Sequence, residues 1–216
     1  ITGTQRVVEI IEKVGLPVVY ASSSCVMHGQ TLPWREDALP GHQNNAYGWS
    51  KRVNECQFIN SRISKTVGLR FFTVYGPYGR PDMALFLFAD AIARNNHMTL
   101  YNKGKMKRDF TYVEDIVQGI ECVVKNIMQS NSTDSINEIY NIGSGKQVEL
   151  LTFIGQIEKE MGRSTHKELV DAHPADTPET WADISKIKKI GYTPKTTVEV
   201  GIRKFVQWYK SYYNLS

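Results

Sequence analysis

The sequence predicts an α/β domain built on a parallel sheet with helices on both faces, and three observations lead there. A helical period over residues 3–14 is followed at once by an apolar run over 16–21. A second helical pattern over 47–65, ended before Gly68, gives way to another apolar run over 69–75. Neither run alternates with polar residues as a half-exposed strand would, so both faces of the sheet need covering.

Taken in order, Val7, Val8, Ile10, Ile11 and Val14 form the apolar face of the first helix, which Gly15 closes. A loop with Pro33, Pro40 and Gly41 leads to the second helix, and Gly76-Pro77 halts the second strand. Residues 84–94 and 113–127 read as helices, the latter opened by Glu114 and Asp115, with a short strand over 98–101 between them. A strand over 139–142 and helices over 150–161 and 198–213 follow, and the polar stretch 129–135 is a loop. A domain boundary falls near Pro77, where helix and strand cease to alternate cleanly. Residues 1–77 would carry the sheet, and 78–216 mainly a smaller α/β lobe with some segments returning to the sheet.

With 216 residues, 41% apolar and 11% aromatic, the chain can bury a core of this kind. Twenty-six Lys and Arg against 22 Asp and Glu leave +4, which suits an anionic small molecule and lacks the dense basic blocks of a nucleic-acid binder. Cys25, Cys56 and Cys122 form an odd set without a C-x-x-C pair, pointing to reduced thiols and a cytoplasmic setting. No two of the five histidines fall at i,i+3 or i,i+4, so no metal site is expected. No stretch approaches the roughly 18 apolar residues of a membrane span, and no signal peptide opens the chain. Beginning at Ile1 and running almost at once into helix, it reads as the middle of something longer.

The chemistry is sought at strand ends, because ligands of open parallel sheets bind beyond the carboxyl ends of the strands. Two stretches lie there: the serines of "YASSSCVMHGQ" (20–30) and residues 73–77. Tyr47 and Lys51 share a helix face at i,i+4. A phenol of pKa about 10 is a poor base at neutral pH, and a nearby ammonium favours its phenolate. Tyr-x-x-x-Lys alone is common by chance, and a packing role outranks catalysis until its context is added.

Ser23, 24 residues before Tyr47 in a strand-end loop, supplies that context. The combination resembles the extended short-chain dehydrogenase/reductase family. "GLRFFTVYGPYGRPDMALF" (68–86) and "GKMKRDFTYVEDI" (104–116) are similar to the UDP-glucuronate 4-epimerases, and the likeness runs on through "YNIGSGKQVELLTFI" and "GYTPKTTVEVGIRKFVQWY". The resemblance implies a Rossmann-like doubly wound parallel sheet, represented by its C-terminal half, with a UDP-sugar lobe and NAD as cofactor. It implies Ser23 as the hydroxyl-binding serine with Ser24 as neighbouring alternative, Tyr47 as proton acceptor and Lys51 as its partner on the nicotinamide ribose, with Ser22 structural. Phe72 would touch the nicotinamide, Thr73 the sugar, and Arg80 the uronic carboxylate, for which its planar fork is suited. Thr99, Leu100 and Tyr101 would flank the uracil, Arg108 the diphosphate and Asp176 the ribose. Lys103, Lys105 and Lys107 are read as a solvated loop. A homodimer through the helices over 3–14 and 47–65 is implied as well.

Two departures stand out. The Gly-x-x-Gly-x-x-Gly turn that receives a dinucleotide pyrophosphate is absent, Gly143-Ser144-Gly145 being too late and too short. By comparison with the family, roughly 100 residues of a two-half dinucleotide fold would precede Ile1. Met27-His28 stands where the family has Tyr-Gly. The alternatives are another UDP-hexose 4-epimerase, a sugar-nucleotide dehydratase, whose usual acidic pair Ser24-Cys25 do not supply, or a catalytically silent UDP-sugar-binding module.

Overall fold

The computed structural model describes residues 1–130, 135–172 and 177–215. Helix α1 (Thr2–Val14) ends on Gly15 in the left-handed conformation and turns into β1 (Val18–Ser23). A 3-10 turn over Ser24–Met27 follows. Helix α2 (Ala46–Ile59) leads into β2 (Lys65–Phe71), which lies parallel to β1 and pairs Ser22 with Arg70 and Ser23 with Phe71. Strand β3 (Thr73–Tyr75), helix α3 (Ala84–Arg94) and β4 (Met98–Leu100) start the second lobe. Strands β5 (Lys107–Arg108) and β6 (Phe110–Tyr112) precede α4 (Val113–Gln129). Strand β7 (Ile136–Ile142) then joins β2 in parallel, giving the sheet order β1-β2-β7. Strand β8 (Val148–Glu149), helix α5 (Leu150–Met161), β9 (Lys167–Leu169), α6 (Ser185–Lys188) and α7 (Val198–Tyr212) complete the described chain.

The main sheet is covered on both faces, as its unbroken apolar strands require. Tyr20 of β1 stacks on Phe58 of α2 at 4.0 Å, with Val8 of α1 and Ile63 beside them. On the other face Val67 and Leu69 of β2 meet Ile116, Val123 and Ile127 of α4. The lobe has its own core, in which Phe110 stacks on Phe153 at 3.8 Å and Phe205 meets Phe86 edge-on. Each such aromatic pair adds about 1 kcal/mol beyond its buried area. Three two-stranded ribbons, β3 with β6, β4 with β9 and β5 with β8, stitch the lobe together.

The boundaries between residues 59 and 75 differ most instructively from the sequence expectation. Helix α2 stops at Ile59, not at 65: the Asn60 amide and the Ser61 hydroxyl turn back onto the Cys56 and Phe58 carbonyls. The apolar period runs on through Ile63, which packs under the helix end without being helical. Gly68 is not a stop but the middle of β2, where a Cβ would lie 2.7 Å from the Tyr20 ring. The expected strand over 69–75 is split, because Phe72 donates to the Ile142 carbonyl while Thr73 donates to that of Asp109, in a different ribbon.

Candidate active site

The serine run occupies the carboxyl end of β1, and its three members do three things. The Ser22 hydroxyl donates to Glu55 at 2.7 Å inside the protein, a structural role. Ser23 caps the 3-10 turn, its Oγ accepting from the Cys25 N–H at 3.2 Å, which leaves its own O–H to donate. Ser24 is buried in the turn. The Asn45 side chain caps α2 by accepting from Gly48 N–H at 2.7 Å, and this fixes the first turn that carries Tyr47. Gln43 donates to the Val26 carbonyl at 2.8 Å and so ties that helix start to the serine turn.

Tyr47 is 55% exposed at the head of α2, in contrast to the buried tyrosines of the core. One turn on, the Lys51 ammonium lies 5.9 Å from the Tyr47 ring centroid and donates to the Ala21 carbonyl at 3.1 Å. The strand end thus holds a cation beside the phenol.

Thr73 and Arg80 line one small cavity of about 50 Å³ with Gly76, Met83 and Phe86. The Arg80 fork is closed on Asp82, with Nε at 3.0 Å and Nη2 at 2.7 Å from its two oxygens. Asp82, hydrogen-bonded to the guanidinium, raises the Arg80 pKa above its ordinary value. The structure thereby brings Thr73 and Arg80 to one cavity.

Other expected residues stand elsewhere or face inward. Phe72 is 4% exposed and packs 6.0 Å from Trp34, so its ring belongs to the core and offers a cofactor little surface. The Leu100 side chain faces inward at 1% exposure while Thr99 and Tyr101 are exposed, and its carbonyl accepts from Val170. Thr99 bonds Glu168 across the β4–β9 ribbon at 3.3 Å. Arg108 donates to the carbonyls of Lys107 and Pro178. Asp176 lies outside the described residues.

Sequence reasoning missed two buried carboxylates. Glu55 is fully buried, with Arg70 forked onto it at 2.8 and 3.0 Å. Burial pushes its carboxyl up, and the Arg70 hydrogen bonds and charge, aided by Ser22 and Arg52, outweigh this and hold it below the ordinary value. The available signal was its spacing, at i+4 from Lys51 and i+8 from Tyr47 on one helix face. Asp109, equally buried, accepts from Ser144 N–H and Oγ, Gly145 N–H, Ala182 N–H and Thr111 Oγ1. Among the described residues no group of His, Cys, Asp and Glu could hold a metal ion, and no helix is long and apolar enough to cross a membrane.

An open parallel α/β sheet with Ser, Tyr and Lys gathered at its strand ends defines a protein of the short-chain dehydrogenase/reductase type, with a Rossmann-like sheet. The model of the NAD dependent epimerase/dehydratase family matches residues 1–143, and the chain belongs to that family. It is 39% identical over 212 residues to Protein CapI of Staphylococcus aureus, covering 91% of this chain and 64% of the relative. It is 34% identical over 218 residues to the UDP-glucuronate 4-epimerase of Thermodesulfobacterium geofontis, covering 97% and 64%. Among solved structures, the UDP-glucuronic acid 4-epimerase of Bacillus cereus in complex with UDP-glucuronic acid and NAD superposes with a TM-score of 0.87 at 30% identity. That match covers 97% of this chain and 67% of the other. The chain therefore spans just under two thirds of the length of the first curated relatives.

Proposed function

We propose that the protein carrying this chain is an NAD-dependent UDP-glucuronate 4-epimerase, interconverting UDP-glucuronate and UDP-galacturonate. The observation that carries this reading is the cavity shared by Thr73 and Arg80: a hydroxyl and a guanidinium fork suit a uronic carboxylate. The likeness to structures holding UDP-glucuronic acid and NAD supports it.

Ser23, Tyr47 and Lys51 fit the nicotinamide-ribose end of a dinucleotide. Lys51 uses one of its three N–H donors on Ala21, which leaves two for a ribose. When bound, NAD would supply the acceptor for a hydride from sugar C4 and the donor for its return to the opposite face. Tyr47 accepts the proton of the C4 hydroxyl and gives it back, Ser23 donates to that oxygen, and Lys51 supports the charge on the phenol. Thr73 and Arg80 hold the carboxylate of the turning sugar. Asp82 must yield its place on the Arg80 fork, an exchange of one carboxylate for another. Tyr101, Thr99, Arg108 and Asp176 are assigned to the nucleotide, which stays bound while the sugar turns.

Residues 1–77 form the cofactor-side domain in this reading, and 78–216 mainly the UDP-sugar lobe. A homodimer through α1 and α2 is supported by the exposed Val7, Ile10 and Val14 of α1. The decisive test replaces Arg80 by Ala in the intact protein and compares substrates. UDP-glucuronate turnover should fall 10- to 100-fold, as for loss of a charged hydrogen bond, with UDP-glucose binding unchanged. Equal loss for both sugars would refute the uronate assignment.

A further inference from the structure

Helix α2 meets the end of β1 at two successive strand residues. Lys51 bonds the Ala21 carbonyl at 3.1 Å, and Glu55, one turn later, takes the Ser22 hydroxyl at 2.7 Å. Tyr47 lies one turn before Lys51 on the same helix face, and Ser23 follows Ser22 at the end of the strand. Glu55 is therefore the far end of the face that carries the proposed proton acceptor.

Its anchor is as rigid as a protein offers. Glu55 and Arg70 side chains are 0% and 2% exposed, joined through both carboxylate oxygens. Arg70 stands across from Ser22 in the sheet and spends its remaining nitrogen, Nη1, on Met27 Sδ at 2.9 Å, in the turn that Ser23 caps. It is also three residues before Thr73. One buried ion pair thus touches β1, the serine turn, β2 and α2, and of these β1 and α2 present Ser23, Tyr47 and Lys51. A planar fork fixes both distance and rotation, which a single apolar contact does not.

We propose that Glu55 and Arg70 are positioning residues for the Ser23, Tyr47 and Lys51 constellation, setting the slide and rotation of α2 against the end of β1. The proposal rests on the functional reading above. Proton transfer needs heavy-atom separations of about 2.6–3.2 Å, and a displacement of about 1 Å can cost a hundredfold in rate. The UDP handle is held in the other lobe, so binding and chemistry should separate when the pair is disturbed.

The test uses Glu55→Gln in the intact protein, with kcat expressed per bound UDP-glucuronate so that unfolded molecules do not count. The proposal expects kcat to fall at least tenfold with KM and the binding affinity for UDP within twofold of the parent. Ser22→Ala leaves the ion pair and removes only the strand tether, so it keeps the proposal testable if Glu55→Gln does not fold; kcat should fall about threefold at constant KM. Turnover per site within twofold of the parent in the variants that fold would overturn it. Tyr47→Phe, run alongside, separates the two claims. If it remains active the functional reading itself fails; if it is inactive while the Glu55 and Ser22 variants are not, the positioning role alone falls.

Discussion

Two carboxylates among the described residues, Glu55 and Asp109, are fully buried, and they are kept there by opposite means. Glu55, under the Tyr47 helix, is neutralised by the Arg70 fork and held below its ordinary pKa. Asp109, at the junction of the 143–145 loop and residues 180–182, takes its five hydrogen bonds from neutral donors, and burial holds it above its ordinary pKa. A paired charge resists displacement of either partner, because the survivor is left buried and uncompensated. A ring of dipoles gathers more segments but stabilises the ion less. Stiffness set by charge is placed next to the proposed chemistry, and a many-stranded knot is placed where the chain returns to close the lobe.

The comparison can be broken by truncation. Glu55→Ala strands Arg70 and should cost about 3–5 kcal/mol in denaturant unfolding. Asp109→Ala leaves backbone donors unpaired without stranding a charge and should cost about 2–3 kcal/mol. Equal losses, or the reverse order, would remove the distinction.

It can be sharpened by pH. The Glu55 contribution is present above its unfolded value of 4.5 and is lost as pH falls through its lowered native value. Asp109 has the opposite sign: the stability linked to its raised pKa is present below 3.8 and is lost as pH rises through the native value. The stability gap between parent and Glu55→Gln should therefore narrow below about pH 4.5, while the gap to Asp109→Asn widens over the same range. Urea titrations at pH 3.5, 5 and 7 would show whether the slopes differ in sign.

The smallest effect is expected at the exposed pair, Arg80 and Asp82, whose side chains are 73% and 66% exposed. Asp82→Asn should leave the melting temperature where it is, since solvent-exposed ion pairs add little. Its consequence should appear in UDP-glucuronate affinity, altered a few-fold because the Arg80 fork loses its resting partner.

How much of this was legible in the sequence depended on what each segment has to announce itself. Helices α3 and α5 match the expected 84–94 and 150–161 residue for residue, because Asn95 and Gly162 stop them in the left-handed conformation where periodicity also ends. No such signal follows Ile59, and the apolar spacing misled. The ribbons of two or three residues, β5, β6, β8 and β9, are too short to carry a period, and their pairing is set by distant partners. In the site, Tyr47, Lys51 and Ser23 could be found because their spacing along one helix and to one strand end is local. Glu55 shared that face, but its meaning came from Arg70, 15 residues away and legible only once β1 and β2 were aligned. The facing of Leu100 depends on strand register, and that of Phe72 on the break between β2 and β3, which the resemblance does not spell out.

The central claim is best tested by incubating the intact protein with UDP-glucuronate and NAD and following the sugar anomeric protons by NMR. The account predicts that UDP-galacturonate signals grow to a stable ratio, and that Tyr47→Phe abolishes this while still binding the nucleotide sugar. Binding without conversion in the parent protein, or undiminished conversion by Tyr47→Phe, would contradict it.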